Sequence, residues 1–293
     1  MDTVGTGDYK YRVVENWAKL PQGSRFGILV GVVVDSKEQV YICQQRESPP
    51  ILIFDREGNY VGSKTPSGLI EGHIMYIDAC DNLYLVERID HVAMKFDSAG
   101  NKLVEMGNRG HGSDTGVTAL GGLVKRPGPP FNMPTRLMPS TTGELFVSDG
   151  YCNARFHKFS ENGVLLNSWG TAGSQVGAFH LPHSLWVCKD DLVYICDRKN
   201  NRIQIFDAQG TFVDQWTDMP GVTDICMDKK ETVYVHENGY HGTDSKTKVM
   251  DKRGNILSQF NSPQSHQIWV DKHGDIYQVV TWEQRVIKLI KQV

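Results

Sequence analysis

The sequence lacks the features that would place it in a membrane or on a nucleic acid. It has no apolar run near the roughly 18 residues of a membrane-spanning helix. The start, MDTVGTGDYKYRVVENW, has neither the basic nor the apolar stretch of a signal peptide. The net charge is −3, so no basic field favours nucleic acid or anionic lipid. We therefore expect a cytoplasmic protein that binds neither membranes nor nucleic acid.

The cysteines lack the CxxC spacing of metal sites, and most of them lie in apolar, strand-like segments. We interpret them as reduced core thiols of a cytosolic protein. The six are Cys43, Cys80, Cys152, Cys188, Cys196 and Cys226. With 293 residues, 40% of them hydrophobic, the chain is long enough to bury a core as one large domain or two small ones.

A short motif recurs five times along the chain. It consists of an aromatic or apolar residue, usually an acidic residue, two variable residues and a glycine. The copies are FDREGN, FDSAGN, FSENGV, FDAQGT and MDKRGN, with glycine at positions 58, 100, 163, 210 and 254. Each copy lies between β-rich runs and predicts a hairpin turn whose glycine has a positive φ.

A second motif, upstream of the first, occurs six times. The copies are EQVYIC, DNLYLV, GELFVS, DLVYIC, ETVYVH and GDIYQV. Each repeat therefore offers four short strands, a to d, and six such repeats at roughly 40 to 50 residues predict an all-β, six-bladed β-propeller. The last repeat ends after its third strand at VIKLIKQV, and YRVVENW near the start resembles a fourth strand. We predict one domain over residues 1–293, with its last blade closed by the N-terminal strand.

The aromatic position of the second motif serves as a ruler for the six blades. Stepping back 11 residues from each aromatic position gives Val30, His73, Thr135, His183, Thr223 and His266. Histidine therefore falls on blades two, four and six in this register. Strand a lines the central channel of a propeller, and alternate blades are about 120° apart, so three imidazoles would converge on the axis.

Three histidines are a common zinc ligand set that leaves a fourth position open for water or substrate. A single histidine at a strand start is usually a packing or hydrogen-bonding residue, but three in register predict a metal site. We predict that His73, His183 and His266 bind zinc. Iron, nickel or copper would also bind such a set.

The b–c loops at the same mouth contain Arg46, Tyr151, Arg198 and Tyr240. An arginine there suits a substrate carboxylate, and a tyrosine beside a dication can act as a base. Salt bridges to neighbouring blades and a simply packed tyrosine ring are the alternatives. The glycine- and proline-rich insertion at 106–134 is either a lid or a disordered connector.

Two stretches, FVSDGYCNARFHKFS at 146–160 and GAFHLPHSLW…DRKNNRIQIFD at 177–207, resemble the NHL-repeat propeller of peptidyl-α-hydroxyglycine α-amidating lyases. The resemblance covers nearly the whole chain in repeat layout and is specific in blades three and four. It implies zinc held by His73, His183 and His266. The family's catalytic tyrosine and two active-site arginines match Tyr151, Arg46 and Arg198. Such enzymes cleave a carbinolamide to an amide and glyoxylate.

The chain also departs from that family. In that family, a structural calcium on the propeller axis accompanies an aspartate just after the third histidine. This chain has Gln267 at that position. Main-chain carbonyls near Val32 and Met75 could still contribute ligands, but we do not expect calcium. No cysteine lies within the 70 residues before Cys152, so the family's disulfides are expected to be absent. We therefore expect a small carbinolamide with a carboxylate, such as a ureidoglycolate-like molecule, rather than a secreted peptide.

Two other functions remain open. A propeller lactonase of the gluconolactonase type would use acidic and asparagine ligands for calcium. A non-catalytic NHL module would bind a partner through one face, and the slightly acidic chain favours a protein over RNA. The sequence leaves the oligomeric state open.

Overall fold

The computed structural model describes residues 2–117, 119–239 and 244–292. Within these ranges the protein consists of strands and one short 3₁₀ turn, η1 (Arg198–Asn200). None of the described helical structure is long and apolar enough to cross a membrane. Six antiparallel sheets follow one another as the blades of a β-propeller, which confirms the predicted fold class.

The first half of the chain forms two N-terminal strands and three blades. The N-terminal strands are β1 (Thr3–Thr6) and β2 (Tyr9–Val14). Blade one comprises β3 (Ile28–Val34), β4 (Val40–Gln45), β5 (Ile51–Phe54) and β6 (Tyr60–Lys64). Blade two comprises β7 (Tyr76–Ile77), β8 (Leu83–Glu87), β9 (Val92–Phe96) and β10 (Lys102–Gly107). Blade three comprises β11 (Pro134–Pro139), β12 (Leu145–Asp149), β13 (Arg155–Phe159) and β14 (Leu165–Trp169).

The second half forms the other three blades. A short parallel pair, β15 (Thr171–Ala172) and β16 (Ala178–Phe179), precedes blade four. Blade four comprises β17 (Pro182–Val187), β18 (Val193–Asp197), β19 (Arg202–Phe206) and β20 (Phe212–Trp216). Blade five comprises β21 (Val222–Met227), β22 (Val233–Glu237), β23 (Lys246–Met250) and β24 (Ile256–Asn261). Blade six contains β25 (Ile268–Val270), β26 (Ile276–Val280) and β27 (Arg285–Lys291).

The N-terminal strand completes blade six, as the sequence predicts. Strand β2 pairs antiparallel with β27, so the sheet order is β25-β26-β27-β2-β1. Strand β1 adds a fifth, outermost strand that the repeat pattern did not predict. Tyr11 of β2 is fully buried, and its ring centroid lies 5.8 Å from that of Phe260 in blade five. The ring is therefore closed by backbone pairing and by a packed aromatic contact.

The glycines of the repeated hairpin motif adopt the predicted positive φ, with values of 81–92° at positions 58, 100, 163, 210 and 254. At three of them, a tryptophan at or just after the outer edge of the preceding blade lies against the glycine. A Cβ would clash with Trp17 at Gly58, with Trp169 at Gly210 and with Trp216 at Gly254. These glycines therefore allow the chain to turn, and their lack of a side chain lets the tryptophan of the preceding blade pack closely against them.

Candidate metal centre

An irregularity in the innermost strands positions the six residues that lie 11 residues before the aromatic position of the second motif. We call these six positions the central register. In β3, β11, β17 and β21 the pairing register shifts by one residue, and the residues left out are Val30, Thr135, His183 and Thr223. Such β-bulges redirect the side chain of the extra residue. His73 and His266 lie just before β7 and β25, at the equivalent points. The innermost strands thus present their register residues at one mouth of the channel.

The three predicted histidines meet on the axis. The ring centroids are 4.4 Å apart for His73 and His266, 4.9 Å for His183 and His266, and 5.1 Å for His73 and His183. Their ligand nitrogens all lie within 4.8 Å of one another. His73 and His183 are buried and His266 is half-buried. We call this group the histidine tripod.

Each ring of the histidine tripod is held by the blade that follows its own. The Nδ1 atom donates to a main-chain carbonyl oxygen, from His73 to Thr135 at 2.6 Å, from His183 to Thr223 at 2.7 Å and from His266 to Val30 at 2.9 Å. Because an amide carbonyl only accepts, Nδ1 carries the proton and Nε2 keeps a lone pair. The tripod therefore offers three Nε2 lone pairs to the axis.

Burial keeps these imidazoles neutral. It is the largest cause of lowered pKa values in all three rings. The pKa of His73 falls well below the ordinary value, with the other two histidines adding to the effect. The pKa of His183 falls well below it too, with Arg198 as the next cause, and that of His266 falls to about 3. Neutral imidazole is the form that binds a metal ion.

The hydroxyl of Tyr151 lies at the point where the tripod nitrogens converge. Its Oη is 3.0 Å from Nε2 of His73, 3.0 Å from Nε2 of His183 and 3.5 Å from Nε2 of His266. One hydroxyl proton can satisfy one of these three lone pairs. The other two buried acceptors face the same place, so the chemistry of the donor set fits a cation bound there.

Two arginines face this centre, and the sequence predicted one of them. Arg198 follows β18 and Arg88 follows β8. The guanidinium of Arg88 lies 5.4 Å from the Tyr151 ring centroid and pairs with Glu71 at 2.7 Å. In both arginines Nε is buried without a hydrogen-bond partner among the described residues. Both also lower the pKa of Tyr151, against the larger opposing effect of burial, which raises it.

Sequence reasoning missed Arg88, although the aromatic ruler could have found it. Arg88 lies four residues after Tyr84, and Arg198 lies four residues after Tyr194. Arg46 lies five residues after Tyr41, one residue out of this register. Successive side chains in a strand point to opposite faces, so a shift of one residue changes the face on which a side chain lies.

Arg46 lies apart from the other predicted site residues. It is exposed, with a left-handed φ of 63°, and lines a cavity of about 400 Å³ with Phe26 and Trp282. Within the described ranges, no hydrogen bond or ion pair joins Arg46 to the histidine tripod or to Tyr151. Gln45 occupies the arginine register in blade one, and its Nε2 donates to the Gly72 carbonyl at 2.6 Å. The role of Arg46 stays a prediction.

A second layer of polar side chains lies directly below the tripod, one residue further along the innermost strands. The Gln267 amide oxygen accepts from the main-chain nitrogens of Val32 and Met75 at 3.0 and 3.1 Å, and its Nε2 donates to the Met75 carbonyl at 2.8 Å. Gln267 therefore joins blade six to blades one and two, with both its amide oxygen and its amide nitrogen hydrogen-bonded within the protein.

Asp224 joins the remaining blades in the same layer. It is fully buried and pairs with the fully buried Arg136 of blade three at 2.7 Å. It also accepts from the Ser184 hydroxyl at 2.6 Å and from the Ile268 main-chain nitrogen at 3.0 Å. Arg136 and Asp224 directly follow Thr135 and Thr223, whose carbonyls orient His73 and His183. The layer thus fixes the carbonyls that hold the tripod.

Of the other nearby residues that the sequence singles out, some have local roles and some lie outside the described residues. His236 is buried and bonds the Thr247 hydroxyl, the Asn238 side chain and the main-chain nitrogen of Ser265. His180 is half-buried and outside the tripod. Tyr240 and His241 fall outside the described residues.

The insertion at 106–134 packs at the tripod mouth. The main-chain nitrogen of Gly121 donates to the Tyr151 carbonyl at 2.7 Å, and the Gly121 carbonyl accepts from Lys199 at 2.6 Å. The main-chain nitrogen of Asn132 donates to the Asp149 carboxylate at 3.0 and 3.1 Å. The described part of this insertion is therefore bonded to the segment that carries Tyr151. Its role as a lid stays a prediction.

All six cysteines are free thiols, five of them buried and Cys80 exposed. Cys43, Cys196 and Cys226 lie within strands β4, β18 and β21, as expected of core residues, whereas the buried Cys152 and Cys188 lie just outside strands.

Comparison with known proteins supports the resemblance to amidating lyases. Residues 179–206 match the family model of the NHL repeat. Over 197 residues the chain is 32% identical to peptidyl-glycine alpha-amidating monooxygenase A of Xenopus laevis, covering 62% of this chain and 20% of that protein. Over 154 residues it is 30% identical to peptidyl-alpha-hydroxyglycine alpha-amidating lyase 1 of Drosophila melanogaster, covering 49% and 27%. Over 220 residues it is 28% identical to NHL repeat-containing protein 3 of Homo sapiens, covering 70% and 59%. The chain spans less than two thirds of the length of each of these relatives.

Solved structures extend the comparison to the fold. A gluconolactonase from Xanthomonas campestris matches with a TM-score of 0.65 at 13% identity, covering 99% of this chain and 95% of that one. A streptogramin B lyase matches with a TM-score of 0.63 at 11% identity, covering 96% and 98%. At these identities the likeness concerns the propeller alone. The chain is thus a six-bladed β-propeller that carries an NHL repeat and is similar in sequence to amidating lyases.

Proposed function

We propose that this protein is a metal-dependent lyase that cleaves the C–N bond of a small carbinolamide bearing a carboxylate. One observation carries the proposal: three imidazole nitrogens face a single tyrosine hydroxyl beside two arginines whose buried Nε atoms have no hydrogen-bond partner among the described residues. The sequence similarity to amidating lyases supports the same chemistry.

His73, His183 and His266 would hold the metal ion, and zinc is the ion that best suits three neutral imidazoles and an open fourth position. When bound, zinc acts as a Lewis acid that polarises an oxygen of the substrate and favours ionisation of a neighbouring hydroxyl. The carbonyls of Thr135, Thr223 and Val30 keep the three rings in one tautomer and orientation, which prepares the site before the ion arrives.

Arg198 and Arg88 would bind the substrate carboxylate. A carboxylate accepts two parallel hydrogen bonds from one guanidinium, and a buried Nε–H without a partner is a donor that such a ligand would satisfy. Arg198 is the stronger candidate because Arg88 already pairs with Glu71 at 2.7 Å. Arg88 also lies over the Tyr151 ring and adds positive charge beside its hydroxyl.

Tyr151 would move the proton that the reaction requires. In the ionised form that a bound cation would favour, the Tyr151 oxygen would take the proton of the carbinolamide O–H, the carbon–oxygen bond would become a carbonyl, and the electron pair of the C–N bond would pass to nitrogen. The amide nitrogen then takes up one proton, so the products are an amide and an aldehyde acid. Because one proton leaves oxygen and one arrives at nitrogen, a single hydroxyl can serve both transfers.

We also infer that the axis carries no calcium. The neutral Gln267 replaces a carboxylate, and its Nε2–H₂ donates to the Met75 carbonyl that a cation would need as a ligand. Calcium prefers several oxygen ligands, including carboxylates. The residues present do not fit that ion.

The test uses the purified full chain and N-benzoyl-α-hydroxyglycine as a small carbinolamide. We expect about one zinc per chain, glyoxylate release that stops when a chelator removes the metal, and recovery on adding zinc. Tyr151→Phe should retain the metal and lower kcat about 10²–10⁴-fold, as expected for loss of an acid–base group. Tyr60→Phe, on the outer strand of blade one, is the matched control.

Other results would point elsewhere. Less than about half an equivalent of any divalent metal, together with no effect of His183→Ala, would overturn the metal site. Calcium-stimulated lactone hydrolysis without glyoxylate release would favour a lactonase. A protein partner that stays bound after alanine replaces all three histidines would favour an interaction module.

A further inference from the structure

The channel ends at the opposite mouth in three aromatic rings. Three residues after each tripod histidine lie Tyr76, Trp186 and Trp269. Their ring centroids are 5.7 Å apart for Tyr76 and Trp186, 5.9 Å for Tyr76 and Trp269, and 6.1 Å for the two tryptophans. We call this group the aromatic floor. It separates the far mouth from the tripod side of the channel.

Two cavities open over the aromatic floor. One of about 480 Å³ is lined by all three rings, and one of about 410 Å³ shares Tyr76 and Trp186 with it. Both sizes fall within the range of roughly 300–1,000 Å³ that is usual for small-molecule sites. The far mouth is therefore roomy enough for an organic ligand, at a place unconnected with the proposed chemistry.

Four carboxylates surround this mouth on adjacent blades. Five residues after the central register, blades five, six, one and two carry Asp228, Asp271, Asp35 and Asp78, and all four line the 480 Å³ cavity. Within the described residues, none of the four forms a salt bridge. The lining also holds Lys272, which pairs with Glu38 at 2.7 Å, and Lys229. Negative charge therefore predominates around the far mouth.

The hydrogen bonds of these carboxylates narrow the choice of ligand. Asp228 accepts from the main-chain nitrogens of Lys230 and Thr232, and Asp78 accepts from the Tyr84 hydroxyl at 3.0 Å. At least one oxygen of each of the four carboxylates is already engaged in its turn, so the group offers an electrostatic field more than a set of free acceptors. A cation without N–H donors loses least in such a place, because it needs no hydrogen-bond partner.

The aromatic floor already binds one cation from inside the protein. The buried Arg136 guanidinium lies 5.1 Å from the Trp186 ring centroid. Aromatic faces attract cations, and recognition of quaternary ammonium groups by aromatic residues is a well-known use of that attraction. We infer that the far mouth binds a small molecule with a quaternary ammonium group, resting on the aromatic floor and held within the field of the four aspartates.

The test compares choline with 3,3-dimethylbutan-1-ol, which has the same shape without the charge. Isothermal titration calorimetry of the full chain at low salt should give a choline Kd on the order of 0.1–1 mM and at least about tenfold weaker binding of the alcohol. Added salt should weaken choline binding. Intrinsic fluorescence of a Trp282→Phe protein, which lacks the exposed tryptophan of the other mouth, should change with the same Kd.

Paired variants separate the site from general effects on folding. Asp228→Asn keeps the turn hydrogen bonds and should weaken choline binding about threefold or more by removing one charge. Asp207→Asn is the matched control, because Asp207 accepts from the main-chain nitrogens two and four residues ahead in the same way but does not line the cavities. Trp269→Leu should abolish binding.

Three results would overturn the inference: equal binding of choline and the alcohol, no saturable binding of choline, or equal effects of Asp228→Asn and Asp207→Asn. Metal content and glyoxylate release are measured on the same samples. A failure of the proposed lyase function would leave this inference standing, and its own failure would leave the lyase proposal untouched.

Discussion

At the scale of single residues, the centre depends on which atom of each side chain is left free. A carbonyl fixes Nδ1 of each tripod histidine, so Nε2 is the atom that faces the axis. Tyr151 then brings its hydroxyl to all three nitrogens. Arg88 and Arg198 add charge beside it, whereas Arg46 is exposed and lies against a different cavity. Substitution of each of the three arginines should therefore have a different effect on the binding and turnover of the substrate.

Replacement of each arginine by methionine tests this difference. Arg198→Met should raise KM for the carbinolamide about 10–100-fold, because a charge-assisted hydrogen bond contributes roughly 1.5–3 kcal/mol. Arg88→Met should raise KM and also lower kcat, since Arg88 adjoins the Tyr151 ring. Arg46→Met should change KM less than about twofold. Steady-state glyoxylate release provides the values, and the largest effect at Arg46 would contradict the arrangement described.

At the scale of secondary-structure elements, constant hairpin lengths made the tripod predictable. The spacing from histidine to tyrosine is 11 residues in blades two, four and six, so counting along the sequence was enough to find the three histidines. Arg88 obeys a ruler of the same kind and could have been found. Arg46 lies one residue outside this spacing, because blade one has Gln45 at the arginine position, and the role of Arg46 stays a prediction.

Other features had no local sequence signal. Strand β1 has the sequence TVGT, carries neither repeated motif and pairs along the outer edge of β2. The bonds of Gln267 run to main-chain atoms of Val32 and Met75, more than 190 residues away in sequence. Contacts to backbone groups of distant blades depend on the closed ring, which a residue pattern does not reveal.

The Arg136–Asp224 pair connects the innermost strands of blades three and five, and it makes a prediction about stability. Arg136→Met leaves Asp224 buried without its partner and should lower the free energy of unfolding by about 3–5 kcal/mol. Adding Asp224→Asn removes the unpaired charge and keeps one acceptor oxygen for the Ile268 main-chain nitrogen, while the Ser184 hydroxyl can accept from the new amide group, so the double variant should recover part of the loss. Urea unfolding of the metal-free protein measures both.

The control for that experiment is Lys158→Met. Lys158 pairs with Glu144 at 2.8 Å near the surface of blade three, where a salt bridge contributes less than about 1 kcal/mol. If Arg136→Met costs no more than Lys158→Met, the buried pair does not stabilise the layer below the tripod.

At the scale of the whole molecule, buried neutral histidines link stability to pH. Burial is the largest cause of a lowered pKa in His73, His157, His183, His236 and His266, with values of about 4 for His236 and about 3 for His266. Below about pH 6.5 these histidines bind protons in the unfolded chain but stay unprotonated in the folded protein. Their contribution is therefore complete above that pH and is lost as the pH falls towards the folded values.

We expect the metal-free protein to lose stability steeply on mild acidification. Each of these histidines adds a slope of up to about 1.4 kcal/mol per pH unit below its unfolded pKa. The urea midpoint should therefore fall markedly between pH 7 and pH 5.5. His236→Gln should reduce the slope by about one proton, whereas His111→Gln, at an exposed position in the insertion, should leave it unchanged. A flat profile would show that the five rings do not resist protonation.

Closure of the ring joins the first and last strands and so determines whether blade six, and His266 with it, holds its place. Tyr11 of β2 is fully buried against Phe260, whereas Tyr9 on the same strand is only half-buried. Tyr11→Ala should lower the free energy of unfolding by about 3–5 kcal/mol, as for other large buried aromatic residues, and Tyr9→Ala should cost much less. Because His266 precedes β25 of the same sheet, Tyr11→Ala should also weaken zinc binding in a chelator competition. Normal zinc affinity in a destabilised Tyr11→Ala protein would mean that the tripod does not depend on closure at the outer strands.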